Sequence, residues 1–177
     1  MNLANFLRVG PASEESIMEV RSWMTRDVRT VSPLDSVARA KQLLEEYRIN
    51  QLPVVVEGKL VGILTDRDVR DALASAAELS GPARQGVDPR HMTVETVMTP
   101  HVLTVLPEDS IVYAARLLRR ERIGALPVVE GSRLVGIITR SDLLEALVEL
   151  AALRSDSSNV APRARFDEPF AGTDQHP

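Results

Sequence analysis

Residues 24–73 and residues 98–147 align without a gap at an offset of 74 positions, and about half of the aligned residues are identical. An internal repeat of this length constrains the fold more than any single motif. Both copies must adopt one supersecondary unit, and they bury their apolar faces against each other. The best-preserved stretch is Gly62-Ile63-Leu64-Thr65-Asp66-Arg67-Asp68, which returns as Gly136-Ile137-Ile138-Thr139-Arg140-Ser141-Asp142. Each copy reads as a buried strand that stops at a hydroxyl and turns into a helix, and this junction is where function is expected. With 177 residues the chain suits one domain or two small ones, and the repeat favours two similar halves packed together.

Within the first copy, Val28-Arg29-Thr30-Val31 alternates like a short strand and stops at Ser32-Pro33. Ser36 then caps a helix whose apolar stripe is Val37, Ala40, Leu44 and Tyr47, with Asn50 as its C-terminal stop. Leu52–Val56 reads as a second strand, Glu57-Gly58 as a turn, and Lys59–Leu64 as a third strand apolar enough to be buried on both faces. A second helix follows Thr65, with Val69, Ala72, Leu73, Ala76 and Ala77 on one stripe. In the second copy Ser110 caps the stripe Ile111, Ala114, Ala115 and Leu118, and the last helix carries Leu143, Ala146, Leu147, Leu150 and Ala151. Each unit is therefore β-α-β-β-α, preceded by a short turn that matches Val20–Met24 to Val94–Met98. Residues 1–19 read as an N-terminal arm with a possible turn capped by Ser13, and 80–92 as a breaker-rich exposed linker. Residues 155–177 lose all periodicity and read as a disordered tail.

Composition narrows the function classes. Aromatic residues make up only 3% against 44% hydrophobic, so the core must be aliphatic. A net charge of −4 gives no overall reason to bind a polyanion, which argues against nucleic acid as the main partner. Without cysteine there is no disulfide, thiolate nucleophile or thiolate metal site. No apolar run approaches the roughly 18 residues of a membrane span, and Met1–Asn5 has no basic residue, so the expectation is a soluble cytoplasmic protein.

Met24-Thr25, Leu52-Pro53-Val54-Val55, Gly62–Thr65 and Asp68, with Met98-Thr99, Leu126-Pro127-Val128-Val129, Gly136–Thr139 and Asp142, together resemble a tandem pair of cystathionine-β-synthase (CBS) domains, the Bateman module. The resemblance covers roughly residues 20–152, with repeats at 20–79 and 93–154. It implies an α/β (α+β) fold with pseudo-twofold packing and a stand-alone, non-catalytic regulatory module. It also implies clefts that bind an adenosine nucleotide (AMP, ADP, ATP or S-adenosylmethionine), with Mg at most accompanying ATP. A homodimer and a regulated partner protein are implied too. The alternative is a ligand-free interaction scaffold that docks an enzyme or transporter.

A ribonucleotide requires a carboxylate for its ribose hydroxyls, donors for phosphate and a flat apolar slot for the base. Thr65 with Asp68, and Thr139 with Asp142, stand three apart at a helix start, where free N–H groups and the positive dipole end favour an anion. Arg67 and Arg140 are candidates for phosphate because a guanidinium holds two oxygens. Val28, Leu52, Pro53 and Val54, with Val102, Leu126, Pro127 and Val128, are candidates for the base-lining walls, through shape and backbone hydrogen bonds. Gly62 and Gly136 admit either a ligand or another strand. Thr-x-x-Asp is equally a helix cap, and the two roles are compatible. The second junction carries less negative charge, so it is expected to hold di- and triphosphates better. Asp66 with Asp68 lacks the third ligand a metal needs, and His91 and His101 read as surface residues. Arg116, Arg119, Arg120 and Arg122 read as a solvated helix face. No serine elbow or phosphate-binding glycine loop points to an enzyme.

Overall fold

The computed structural model describes residues 18–79 and 92–156. The expectations for Ser13 and the arm before residue 18, the linker through His91, and the tail beyond 156 lie outside the described residues. Each copy opens with a 3₁₀ turn, Val20–Ser22 and Val94–Thr96. The first continues through α1 (Val37–Tyr47), β1 (Gln51–Val56), β2 (Lys59–Thr65) and α2 (Asp66–Leu79). The second runs through α3 (Ile111–Glu121), β3 (Ala125–Glu130), β4 (Arg133–Thr139) and α4 (Arg140–Asp156). The result is a mixed helix-and-strand fold in which each copy contributes an antiparallel hairpin flanked by two helices.

Local chemistry explains the element boundaries. Ser36 Oγ accepts from the Arg39 N–H at 3.1 Å, and Ser110 Oγ from the Val112 N–H at 3.2 Å, so both expected caps form. The helices end at Arg48 and Arg122, left-handed at φ 52° and 57°, rather than at Asn50. The last carbonyls of α1 are already used there, since Ile49 donates to Leu44 O at 3.0 Å. Asn50 instead accepts from the Asp66 N–H at 3.0 Å, tying the end of one helix to the start of the next. Glu57 and Gly58 both take positive φ, 51° and 78°, as the two central residues of a type I′ hairpin turn must.

Four expectations about strands and packing are corrected. The strand expected at Val28–Val31 is an extended segment with a single parallel bridge, Val31 to Val54, repeated as Val105 to Val128. Val31 exchanges hydrogen bonds with Pro53 O and the Val55 N–H. Pro53 thus points its missing donor to the outer edge of β1, where only this one bridge is needed. Tyr47 is 41% exposed instead of closing the α1 stripe, and the Arg29 guanidinium lies 4.5 Å from its ring centroid. β2 is not buried on both faces: Lys59 and Val61 are exposed, and only Gly62 and Leu64 are covered. β2 and β4 pair only at Lys59 and Arg133, next to the hairpin turns. Leu147 and Ala151 also lie exposed, outside the buried part of the α4 stripe.

The core is made by exchange between the copies. Val20 and Met24 of the first copy are buried with Ile111, Ala114, Leu118, Leu126, Val128 and Ile138 of the second. Val94 of the second copy is buried with Val37, Ala40, Leu44, Leu52, Val54 and Leu64 of the first. Backbone bonds lock the exchange: Thr25 and Ile137 trade N–H and C=O at 2.9 and 3.0 Å, as do Thr99 and Ile63. This accounts for Gly62 and Gly136. A Cβ on Gly62 would stand 2.6 Å from Met98 Sδ, and one on Gly136 2.6 Å from Met24 Sδ. The strand glycines admit the Met-Thr segment of the other copy, not a ligand.

Candidate functional site

At each strand-to-helix junction the threonine and the aspartate hold each other. Asp68 Oδ2 accepts from the Thr65 N–H at 2.8 Å and its hydroxyl at 2.6 Å, while the Asp68 N–H donates to Thr65 Oγ1 at 3.2 Å. In the second copy the corresponding distances are 2.7, 2.8 and 3.3 Å between Thr139 and Asp142. This is a reciprocal capping box, and it engages only one oxygen of each carboxylate. Oδ1 of both aspartates has no protein donor among the described residues. Burial pushes the Asp142 carboxyl above its ordinary range, against the opposing pull of the Thr139 hydrogen bonds, and the nearby Glu145 adds to the rise.

The two junctions border one another. In register, Gln51 faces Thr65 and Ala125 faces Thr139. The Gln51 side-chain nitrogen lies 2.5 Å from where a Cβ of Gly124 would stand, and Gly124 O accepts from the Arg140 N–H at 3.2 Å. The Gln51 side chain of the first copy thus stands beside Gly124 at the second junction. Neither Gln51 nor Gly124 stood out in the sequence. A hint was present, since Asn50-Gln51 departs from Gly124-Ala125 just before the matching Leu-Pro-Val-Val.

The candidate base-lining residues divide by exposure. Leu52, Val54, Leu126 and Val128 are wholly covered in the two cores, and Pro53 and Pro127 are buried as well. Strand alternation turns Leu52, Val54, Leu126 and Val128 into the cores, whereas Pro53 and Pro127 face the other side of their strands. Val28 and Val102 are half-buried. Val102 lines a cavity of about 270 Å³ together with His101 and Thr104 of its own copy and Leu60 and Val61 of the other. That combination was illegible locally, because it joins residues from both halves. His101 is exposed with φ 55°.

The arginines are not equivalent. Arg67 is 84% exposed and lies 3.7 Å from Asp71, and Asp66 holds Arg70 at 2.8 Å. Arg140 occupies the position of Asp66 and has no ion-pair partner among the described residues. The first helix start therefore carries compensated charge, and the second carries an uncommitted guanidinium beside the N-terminal N–H groups. Among the described residues no three His, Cys, Asp or Glu side chains come close enough together to hold a metal.

The family model for the CBS domain matches residues 19–75 and 94–149. An inosine-5′-monophosphate dehydrogenase from Korarchaeum cryptofilum is 37% identical over 130 residues, 73% of this chain but 24% of that protein. CBS domain-containing protein YhcV from Bacillus subtilis is 36% identical over 124 residues, covering 70% of this chain and 81% of the relative. The chain thus spans about a quarter of the enzyme and most of the small protein. Among solved structures, the CBS domain pair of protein MJ0100 in complex with 5′-methylthioadenosine and S-adenosyl-L-methionine superposes with a TM-score of 0.63 at 29% identity, covering 75% of this chain and 97% of that one. CBSX2 in complex with AMP gives a TM-score of 0.63 at 30% identity, over 75% and 98% of the two chains.

Proposed function

The chain belongs to the CBS domain family, and on that premise we propose that it is a non-catalytic module that binds an adenosine nucleotide at its two junctions and passes this state to a partner protein. The observation that carries the reading is the half-used carboxylate. Asp68 and Asp142 each spend one oxygen on the helix cap and keep the other for the ribose hydroxyls. Thr65 and Thr139, with the helix-start N–H groups, provide the anion end. Relatives of the same fold that hold AMP, or methylthioadenosine with S-adenosylmethionine, support an adenosine ligand.

The two sites are unequal in this reading. The uncommitted Arg140 suits the second site to di- and triphosphates, with Mg accompanying ATP. The paired charges around Asp66 and Arg67 leave the first site to smaller phosphate loads. Titration calorimetry with AMP, ADP, ATP and S-adenosylmethionine on the unmodified chain, Asp68→Ala and Asp142→Ala tests this. ATP affinity should fall mainly in Asp142→Ala, and equal losses in both variants would remove the inequality.

The outward positions Tyr113 on α3 and Leu144 and Val148 on α4 are 50%, 63% and 68% exposed, and they support a homodimer paired through these helices. The same face favours a second reading, a ligand-free scaffold that docks an enzyme or transporter. Thermal shift with the nucleotide panel separates the two, because a ligand that binds only the folded state must raise its apparent stability.

A further inference from the structure

Helices α3 and α4 border an apolar groove of about 400 Å³ whose walls include Ala115, Leu143, Leu147 and Leu150 and whose α3 edge carries Arg116 and Arg119. Successive residues of a helix turn by about 100°. Leu144 and Val148 therefore stand one step round α4 from the groove as an exposed apolar ridge, and Glu145 and Glu149 stand exposed one step further, on the flank away from it. Arginine, groove, ridge and glutamate thus follow one another across a single face of the second copy. We propose that this face is self-complementary. Resting on the homodimer reading above, it packs on the same face of another protomer with α3 over the partner's α4, so that the ridge of each enters the groove of the other.

Charge selects this arrangement. Two identical faces are related by a twofold axis that runs either along their helices or across them. An axis along the helices sets each α3 on the partner's α4, where ridge meets groove and arginines meet glutamates twice over. An axis across the helices sets α3 on α3, arginine on arginine and ridge on ridge, which like charges oppose. Glu145 and Glu149 fall within the stretch Leu143–Leu150 that lines the groove opposite Arg116 and Arg119, so the two charged pairs lie at one level. Their spacings also agree, at about 4.5 Å of helix rise for the arginines and about 6 Å for the glutamates. None of these four residues has an ion-pair partner among the described residues.

The first copy lacks every part of the pattern. At the offset of 74, Gln42 and Glu45 replace the arginines, Arg70 and Ala74 the ridge, and Asp71 and Ser75 the glutamates, while Lys41 replaces Ala115 in the groove wall. Its charges are already satisfied within their own helices, Lys41 by Glu45, Arg67 by Asp71 and Arg70 by Asp66. Setting the second copy on the partner's first copy would put Glu145 and Glu149 against acid and the ridge against Lys41.

Full-length chains carrying Arg116→Glu/Arg119→Glu, or Glu145→Arg/Glu149→Arg, test the pairing by sedimentation equilibrium. Each change puts like charges across both halves of the interface, so either variant should dimerise with itself about 100-fold more weakly. Mixed in equal amounts, the two should form a heterodimer about as tight as the unmodified dimer, counted by native mass spectrometry. The unmodified chain gives a readout that needs no variant. Opposite charges face to face make its dimer weaken as salt rises from about 0.01 to about 0.5 M, whereas arginine on arginine makes it tighten. Variants that dimerise as tightly as the unmodified chain, a mixture without heterodimer, or a dimer that tightens with salt each overturn the α3-on-α4 pairing and leave the homodimer reading standing. A monomeric chain overturns both. A dimer that forms only after removal of residues 1–17 assigns the groove to the stretch preceding Met18, which also lines it, and overturns the pairing as well. No readout involves nucleotide, so each outcome is distinct from failure of the ligand reading.

Discussion

Asp142→Asn separates the two jobs assigned to Asp142. Replacement by Ala removes the acceptor of the Thr139 N–H and hydroxyl, bonds of 2.7 and 2.8 Å. Loss of such a cap costs about 0.5–2 kcal/mol. Part-burial lets water reach the freed N–H only incompletely, which places this case in the upper half, about 1–2 kcal/mol. For a chain of this size that lowers Tm by about 2–8 °C. Asn at the same position keeps one oxygen to accept from Thr139, and Tm should stay within about 2 °C. It replaces the other oxygen by an amide donor and removes the charge, so the ribose hydroxyls lose their carboxylate. A hydrogen bond to a charged group is worth about 1.5–3 kcal/mol, hence nucleotide affinity at the second site falls about 10- to 150-fold. Differential scanning fluorimetry and calorimetry on the three proteins provide the comparison. If Asp142→Asn binds ADP as tightly as the unmodified chain while Asp142→Ala loses stability, the carboxylate is a cap and nothing more, and the reasoning fails.

Three further outcomes are expected. Because burial raises the Asp142 carboxyl in the folded state, its contribution to stability is fully present below its unfolded pKa and is lost as pH rises through the folded one. Asp142→Asn should flatten that part of the stability profile, and nucleotide affinity at the second site should drop as pH falls through the raised value, where the carboxylate takes a proton; chemical denaturation and titration across mildly acidic pH check both. Gly136→Ala drives a Cβ to 2.6 Å from Met24 Sδ and 3.1 Å from Thr25 O, and should cost about 1–3 kcal/mol in urea unfolding. Combined with Met24→Ala, the loss should be smaller than the sum of the two single losses, because the two sites share one contact. Leu126→Ala should lose about 2–5 kcal/mol by opening the second core; a loss of nucleotide affinity at unchanged stability would instead place that side chain against the ligand.

The capping boxes were legible because every partner lies within three residues, so spacing alone brings Thr65 to Asp68 and Thr139 to Asp142. The helices and hairpins followed for the same reason, from periodicity, serine caps and the Glu57-Gly58 turn. The misplaced features all depend on groups distant in sequence. Val28–Val31 alternates like a strand but finds one bridge, and Tyr47 continues the α1 stripe but meets Arg29. Gln51 reaches Gly124 across the pair, which no pattern within one copy could indicate.

Sequence by itself determined the repeat, its elements and the twin Thr–Asp junctions, because those are set by local backbone preferences and by identical residues recurring at one offset. Only the tertiary structure decided that each copy is completed by the Met-Thr segment of the other, and that the strand glycines exist to admit it. Contacts of that kind join residues about 40 to 110 positions apart, and they arise from shape and burial in three dimensions, on which the one-dimensional pattern places almost no constraint.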